Sequence, residues 1–89
     1  MKDKNDFAAA LVNVGDAVRM RKLLKEMLTP DELRNVQLRW RLMQMLHEGQ
    51  SQRAIARRLG ISLCKITRGS RILKDGSSVA AVIIKGERQ

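Results

Sequence analysis

An all-α fold, a small multi-helix domain built around a helix-turn-helix, is what this sequence predicts. Three observations carry the prediction. Apolar residues recur at helical spacing through most of the chain, a helix-start signal stands at Thr29-Pro30-Asp31-Glu32, and residues 51 to 74 space Ala, Gly and Ile as two crossing helices require.

Residues 4 to 14 place Phe7, Leu11 and Val14 on one face before Gly15-Asp16 interrupts, which reads as a first helix. From Ala17 onward Val18, Leu23, Leu24, Met27 and Leu28 alternate with Arg19, Arg21, Lys22 and Lys25 at a period near 3.6, a second helix ending near Leu28. The third start is sharper. Thr29 suits the N-cap, Pro30 suits the first helical position because its missing N–H is unused there, and Glu32 completes a capping box. This helix runs through Leu33, Val36, Trp40, Met43 and Leu46 to Gly49, which permits the left-handed turn that closes many helices. Ser51 and Ser62 are N-cap candidates for two more helices, the second beginning at about Leu63.

Gly76, Ser77 and Ser78 break the pattern, and the run from Val79 to Ile84 is rich in β-branched residues, so a short strand and a short packed helix both stay open. The organisation expected is a single domain over 1–89, with a helical scaffold and dimerisation region over 1–50, the helix-turn-helix over 51–74 and a flexible tail over 75–89.

Length sets a limit on this fold. A chain of 89 residues buries only about 60 to 65% of its unfolded surface, so its core is shallow and a homodimer is the expected way to bury more. The formal charge of +9 calls for a polyanionic partner, and residues 51 to 74 hold Arg53, Arg57, Arg58, Lys65, Arg68, Arg71 and Lys74 with no acid among them. One Cys and one His cannot make an intrachain disulfide or a four-ligand zinc site, so no metal is expected. No apolar run reaches membrane-spanning length and no signal-peptide pattern is present, so a cytoplasmic location and no membrane are the expectation. Paired carboxylates, nucleophile-base pairs and phosphate-cradling glycine loops are also missing from the sequence, which argues against an enzyme.

Within residues 51 to 74, Ile55, Ala56 and Leu59 form an inward face, with Ala56 small where a second helix crosses, Gly60 at the turn and Ile66 as the plug beneath the second helix. With Ile66 inside, Leu63, Cys64 and Thr67 turn outward where side chains reach base edges and thymine methyls. Gln52, Arg53, Lys65, Arg68 and Lys74 are placed for phosphates, and Arg53 is also able to hold a guanine with two bonds. Cys64 reads as a small groove contact rather than a nucleophile, since no His or acid lies near it in sequence. Phe7 and Trp40 both fall on apolar stripes, which leaves no aromatic platform for stacking RNA bases. Sequence-specific binding of double-stranded DNA is the function these residues imply.

Arg39 is out of place. It falls inside the arc of roughly 140° that Leu33, Val36, Trp40, Met43 and Leu46 cover, where a guanidinium needs an anion. It either snorkels to water or a partner subunit's carboxylate, or it holds the carboxylate of a ligand. His47 shares the arc and reads as a core or interface residue.

Three blocks taken in order, Met27-Leu-Thr-Pro-Asp-Glu32, Ser51-Gln-Arg53 and Ile66-Thr-Arg-Gly-Ser70 followed by Leu73-Lys74, resemble the Trp repressor family over about residues 27 to 74. The resemblance implies an intertwined helical homodimer that binds palindromic operator DNA when L-tryptophan, a corepressor rather than a catalytic cofactor, occupies a pocket between the third helix and the reading helix. Carried over by position, Leu28 and Thr29 would line that pocket, Arg39 would hold the carboxylate, and Arg68 with Gly69 would sandwich the indole. Ile72 stands where the family pattern has a serine, Glu26 where it has leucine and Lys65 where it has threonine, and the tail after Lys74 lacks resemblance to the family's closing helix. The expected function is a DNA-binding transcriptional repressor controlled by a small amino-acid corepressor. A regulator that binds DNA without a corepressor is the first alternative, and a basic module docking an acidic partner or membrane surface the second.

Overall fold

The computed structural model describes residues 5–86, and all of the regular structure there is helical: α1 (Phe7–Val12), α2 (Ala17–Met27), α3 (Pro30–His47), α4 (Gln52–Leu59), α5 (Leu63–Lys74) and α6 (Val79–Lys85). The chain divides into two compact units, one ending at Arg34 and one starting at Asn35. That boundary falls within the span of α3, earlier than residue 50, where the sequence places the end of the scaffold.

In the first unit each helix start is held by a side chain. Asp6 accepts from the Ala8 N–H at 3.0 Å and Asp16 from the Arg19 N–H at 2.8 Å, each satisfying an orphan donor of a first turn. The start of α3 is the reciprocal box expected: the Glu32 carboxylate accepts from the Thr29 N–H at 2.8 Å, and the Thr29 hydroxyl from the Glu32 N–H at 3.1 Å. Neither α1 nor α2 contains a buried residue. The first helix is shorter than the span from 4 to 14 expected for it, and residue 4 lies outside the described residues.

The second unit holds the core. Leu42, Met43 and Met45 of α3, Ile55 of α4, Ile66 and Leu73 of α5 and Ala81 of α6 form one buried cluster, with Leu46, Ala56, Leu59, Ile72 and Ile84 packed around it. On α3 this face is turned by about 100°, one residue's step, from the stripe expected. Val36 and Trp40 are exposed at 47% and 38%, whereas Leu42 and Met45 are buried. The physical cause is that α3 is apolar on two sides, and α4, α5 and α6 cover the one that carries Leu42 and Met45. Phe7 is 44% exposed, so neither aromatic side chain is withdrawn from solvent as its stripe suggested.

Residues 75–89, expected as a flexible tail, contain α6, and 87–89 lie outside the described residues. Ser78 caps the helix by accepting from the Ala81 N–H at 3.0 Å, and the Ala81 side chain is buried against the core. The β-branched run is helical because a cap and a packed face outweigh its weak intrinsic preference.

Candidate nucleic-acid interface and adjoining cavity

The helix-turn-helix matches its expected limits. Ser51 caps α4 through the Ala54 N–H at 3.1 Å, and Gly60 ends it in the left-handed conformation, φ 66° and ψ 38°, which a residue with a Cβ seldom adopts. The Gly60 and Ile61 N–H groups donate back to the Ala56 carbonyl at 2.9 and 3.2 Å, so the chain reverses tightly into α5. Ser62 begins α5 in extended conformation, without a side-chain cap bond. Ile55 and Ile66 are wholly buried, and this pair fixes how α5 lies on α4.

Burial of Ile66 turns the opposite face of α5 to solvent. Leu63, Cys64, Thr67, Arg68 and Arg71 line one shallow groove along it, and Arg53, Ala56, Arg57 and Leu63 line a second that continues onto α4. Leu63 is 46% exposed and shared by both. Thr67 is half-buried, and its hydroxyl donates to the Gln52 Oε1 at 3.3 Å, which ties α5 to α4 at the foot of the groove. Arg53, Cys64, Lys65, Arg68 and Lys74 are all exposed, with Lys74 at the last position of α5. Arg57 and Arg71, which the sequence placed only in the basic cluster and not among the individual site residues, line these grooves too. The signal for Arg71 was present, since 64, 67, 68 and 71 follow one helical face.

On its other side α5 borders a cavity of about 220 Å³. Arg39, Lys65 and Arg68 bring three cations to it, Leu42, Met43 and Ile72 bring apolar walls, and Gly69 and Cys64 complete the lining. The structure therefore brings together three of the five residues expected around a ligand. Leu28 and Thr29 are not part of this lining, and the Thr29 hydroxyl accepts the capping bond of α3. Gly69 is buried because α5 passes close to α3: a Cβ there would overlap Leu42 Cδ1 and meet Met43 Cγ at 3.2 Å. Among the described residues the only ion pair is Arg34 with Asp31 at 2.7 Å, so none of the three cavity cations has a carboxylate partner.

Among the described residues no group of His, Cys, Asp and Glu is placed to hold a metal ion, and no helix is long and apolar enough to cross a membrane. Cys64 is a free, exposed thiol.

Comparison of the chain with curated proteins and with solved structures finds no match. A family model described as Trp repressor protein matches residues 2–87, well beyond the stretch from 27 to 74 in which the resemblance was read, and it takes in the segment of α6 that had shown none. The match spans nearly the whole length, and the chain belongs to the Trp repressor protein family.

Proposed function

We propose that this protein is a sequence-specific transcriptional repressor that reads double-stranded operator DNA with α5 and answers to a small carboxylate-bearing effector beside that helix. Its family is one of DNA-binding transcriptional regulators rather than enzymes. The repressor role, the operator and the effector are our reading. One observation carries it: Cys64 and Arg68 border both the outer groove and the cavity. An effector in the cavity therefore touches side chains that also face DNA, and by binding one arrangement of them better it shifts the population that reads DNA. Arg39 is the anchor for the carboxylate, with Arg68 and Gly69 against the effector body. L-Tryptophan, the ligand that the family resemblance implies, is the first effector to test.

A homodimer is part of this proposal. Val36 and Trp40 on α3, and Val79 and Ile83 on α6, are large apolar residues left exposed at 47, 38, 66 and 57%. A second copy would bury such surface, and two-fold pairing matches a palindromic operator. The family resemblance would place Leu28 and Thr29 at the cavity as well, although the lining that one chain supplies does not include them.

Selection from a random duplex library, with and without effector, tests the reading. The expected result is enrichment of a two-fold-symmetric motif that strengthens when effector is present. A motif indifferent to every effector would make the protein a constitutive regulator, and equal affinity for all sequences would remove sequence-specific repression altogether.

A further inference from the structure

We infer that the groove where α4 meets the start of α5 is a subsite for a 5-methylpyrimidine next to a guanine, so that methylation of the cytosine in a CpG step makes a poor operator a better one. The inference rests on the DNA reading above and deepens it by naming the base step that this groove takes. Leu63, the first residue of α5, carries it. Its side chain is 46% exposed at the head of the reading helix and lines the groove with Arg53, Ala56 and Arg57. A leucine there leaves apolar surface in water, and burying that surface in a duplex needs an apolar group on a base edge. In the major groove only thymine shows one, its C5-methyl. 5-Methylcytosine holds the same methyl at the same carbon, so the subsite takes either base on the strength of that group.

The arginines supply the neighbour. Arg53 and Arg57 stand one turn apart on α4, and both are exposed. Residues 51 to 74 contain no acid, and the only ion pair among the described residues joins Arg34 to Asp31, so neither guanidinium is held by a carboxylate. Each offers two parallel N–H donors, the arrangement that O6 and N7 of guanine accept. Cytosine without the methyl leaves a gap against Leu63. Ala56, half-buried where the helices cross, is too short to fill it. The discrimination expected is therefore that of burying one methyl group, a ratio of about fourfold in affinity for each half-site.

Selection with the full chain from a random duplex library, run with its CpG steps methylated and again unmethylated, and with L-tryptophan present and absent, tests this. The motif is expected to hold thymine or methylated cytosine at one shared position beside a guanine, and to lose cytosine there when the library is unmethylated. On the selected duplex, deoxyuridine in place of thymidine removes only the methyl and should weaken binding about fourfold for each half-site. 5-Methylcytosine in place of cytosine at that position should strengthen it by a similar ratio. Leu63→Ala should bring both ratios close to one, and added salt should weaken binding to every duplex while leaving the ratios in place. If a motif is selected but each duplex binds equally with and without the methyl, the inference is overturned and the DNA reading stands. Ratios that survive Leu63→Ala would overturn it too. Selection of no motif from either library would remove sequence-specific reading along with it.

Discussion

Gly69 of α5 lies so close to Leu42 of α3 that no side chain fits between them. A Cβ at 69 would overlap Leu42 Cδ1, and Leu42 is only 1% exposed, so it has little room to yield. Two effects oppose each other in Gly69→Ala. Alanine gains about 1 kcal/mol of helix propensity, and overpacking costs about 1–3 kcal/mol. A net loss of up to about 2 kcal/mol is expected in urea denaturation, together with weaker effector binding. A variant more stable than the parent would show that the two helices are not held this close.

The bond from Thr67 to Gln52 gives the reading helix a second fixed point. Thr67→Val removes the donor and keeps the shape, so it is expected to change which bases are preferred, and Gln52→Ala to change the same positions. Lys74→Ala should instead weaken binding to all sequences alike and lower the salt slope by about one. Selection against a randomised half-site, read at two salt concentrations, distinguishes these outcomes. If all three variants lose affinity evenly, Thr67 does not read bases and its bond to Gln52 does not position it to do so.

Trp40 offers a direct test of self-association. It stays 38% exposed in one chain of 10.1 kDa, with Val36 beside it at 47%. Trp40→Glu is expected to shift sedimentation from a dimer to a monomer, and to weaken binding to a palindrome more than to its half-site. A parent chain that already sediments as a monomer would refute the dimer.

Asp75 makes the turn before α6 sensitive to acid. Its carboxylate accepts from the Ser77 N–H at 2.9 Å and from the Ser77 hydroxyl at 2.7 Å, and these bonds, the backbone one first, hold its pKa below the ordinary carboxylate value. A group whose pKa is lowered by folding adds stability above its unfolded pKa of about 3.9 and loses it as pH falls through the folded value. NMR titration should place the Asp75 midpoint below that value. Asp75→Asn should flatten this part of the stability curve below about pH 4. An unshifted midpoint would mean that the turn is not closed in solution.

Local signals proved the most legible parts of the chain. The bond pair between Thr29 and Glu32, the Ser51 cap and the left-handed Gly60 depend on a few neighbouring residues, and each appears where its residue types require. So do the buried Ile55 and Ile66, because they follow a spacing that two crossing helices impose. The face of α3 was not legible in the same way. With Leu38, Leu42 and Met45 on one side and Val36 and Trp40 on another, periodicity allows two faces, and only packing selects between them. The same holds for α6, where composition left strand and helix open and burial of Ala81 selects helix. Of the expected ligand residues, Arg39, Arg68 and Gly69 meet at the cavity because α3 and α5 cross there, which no local pattern encodes.

Arg68 has a place in two surfaces at once, and that has a consequence for how this protein can be redesigned or can diverge. Under the proposed function, a substitution at 68 would alter operator choice and effector response together, so neither trait would be free to change alone through that position. Thr67 and Arg71 border the groove but not the cavity, and Ile72 borders the cavity but not the groove. On that reading, new operators would be accessible at 67 and 71 with the effector kept, and new effectors at 72 with the operator kept.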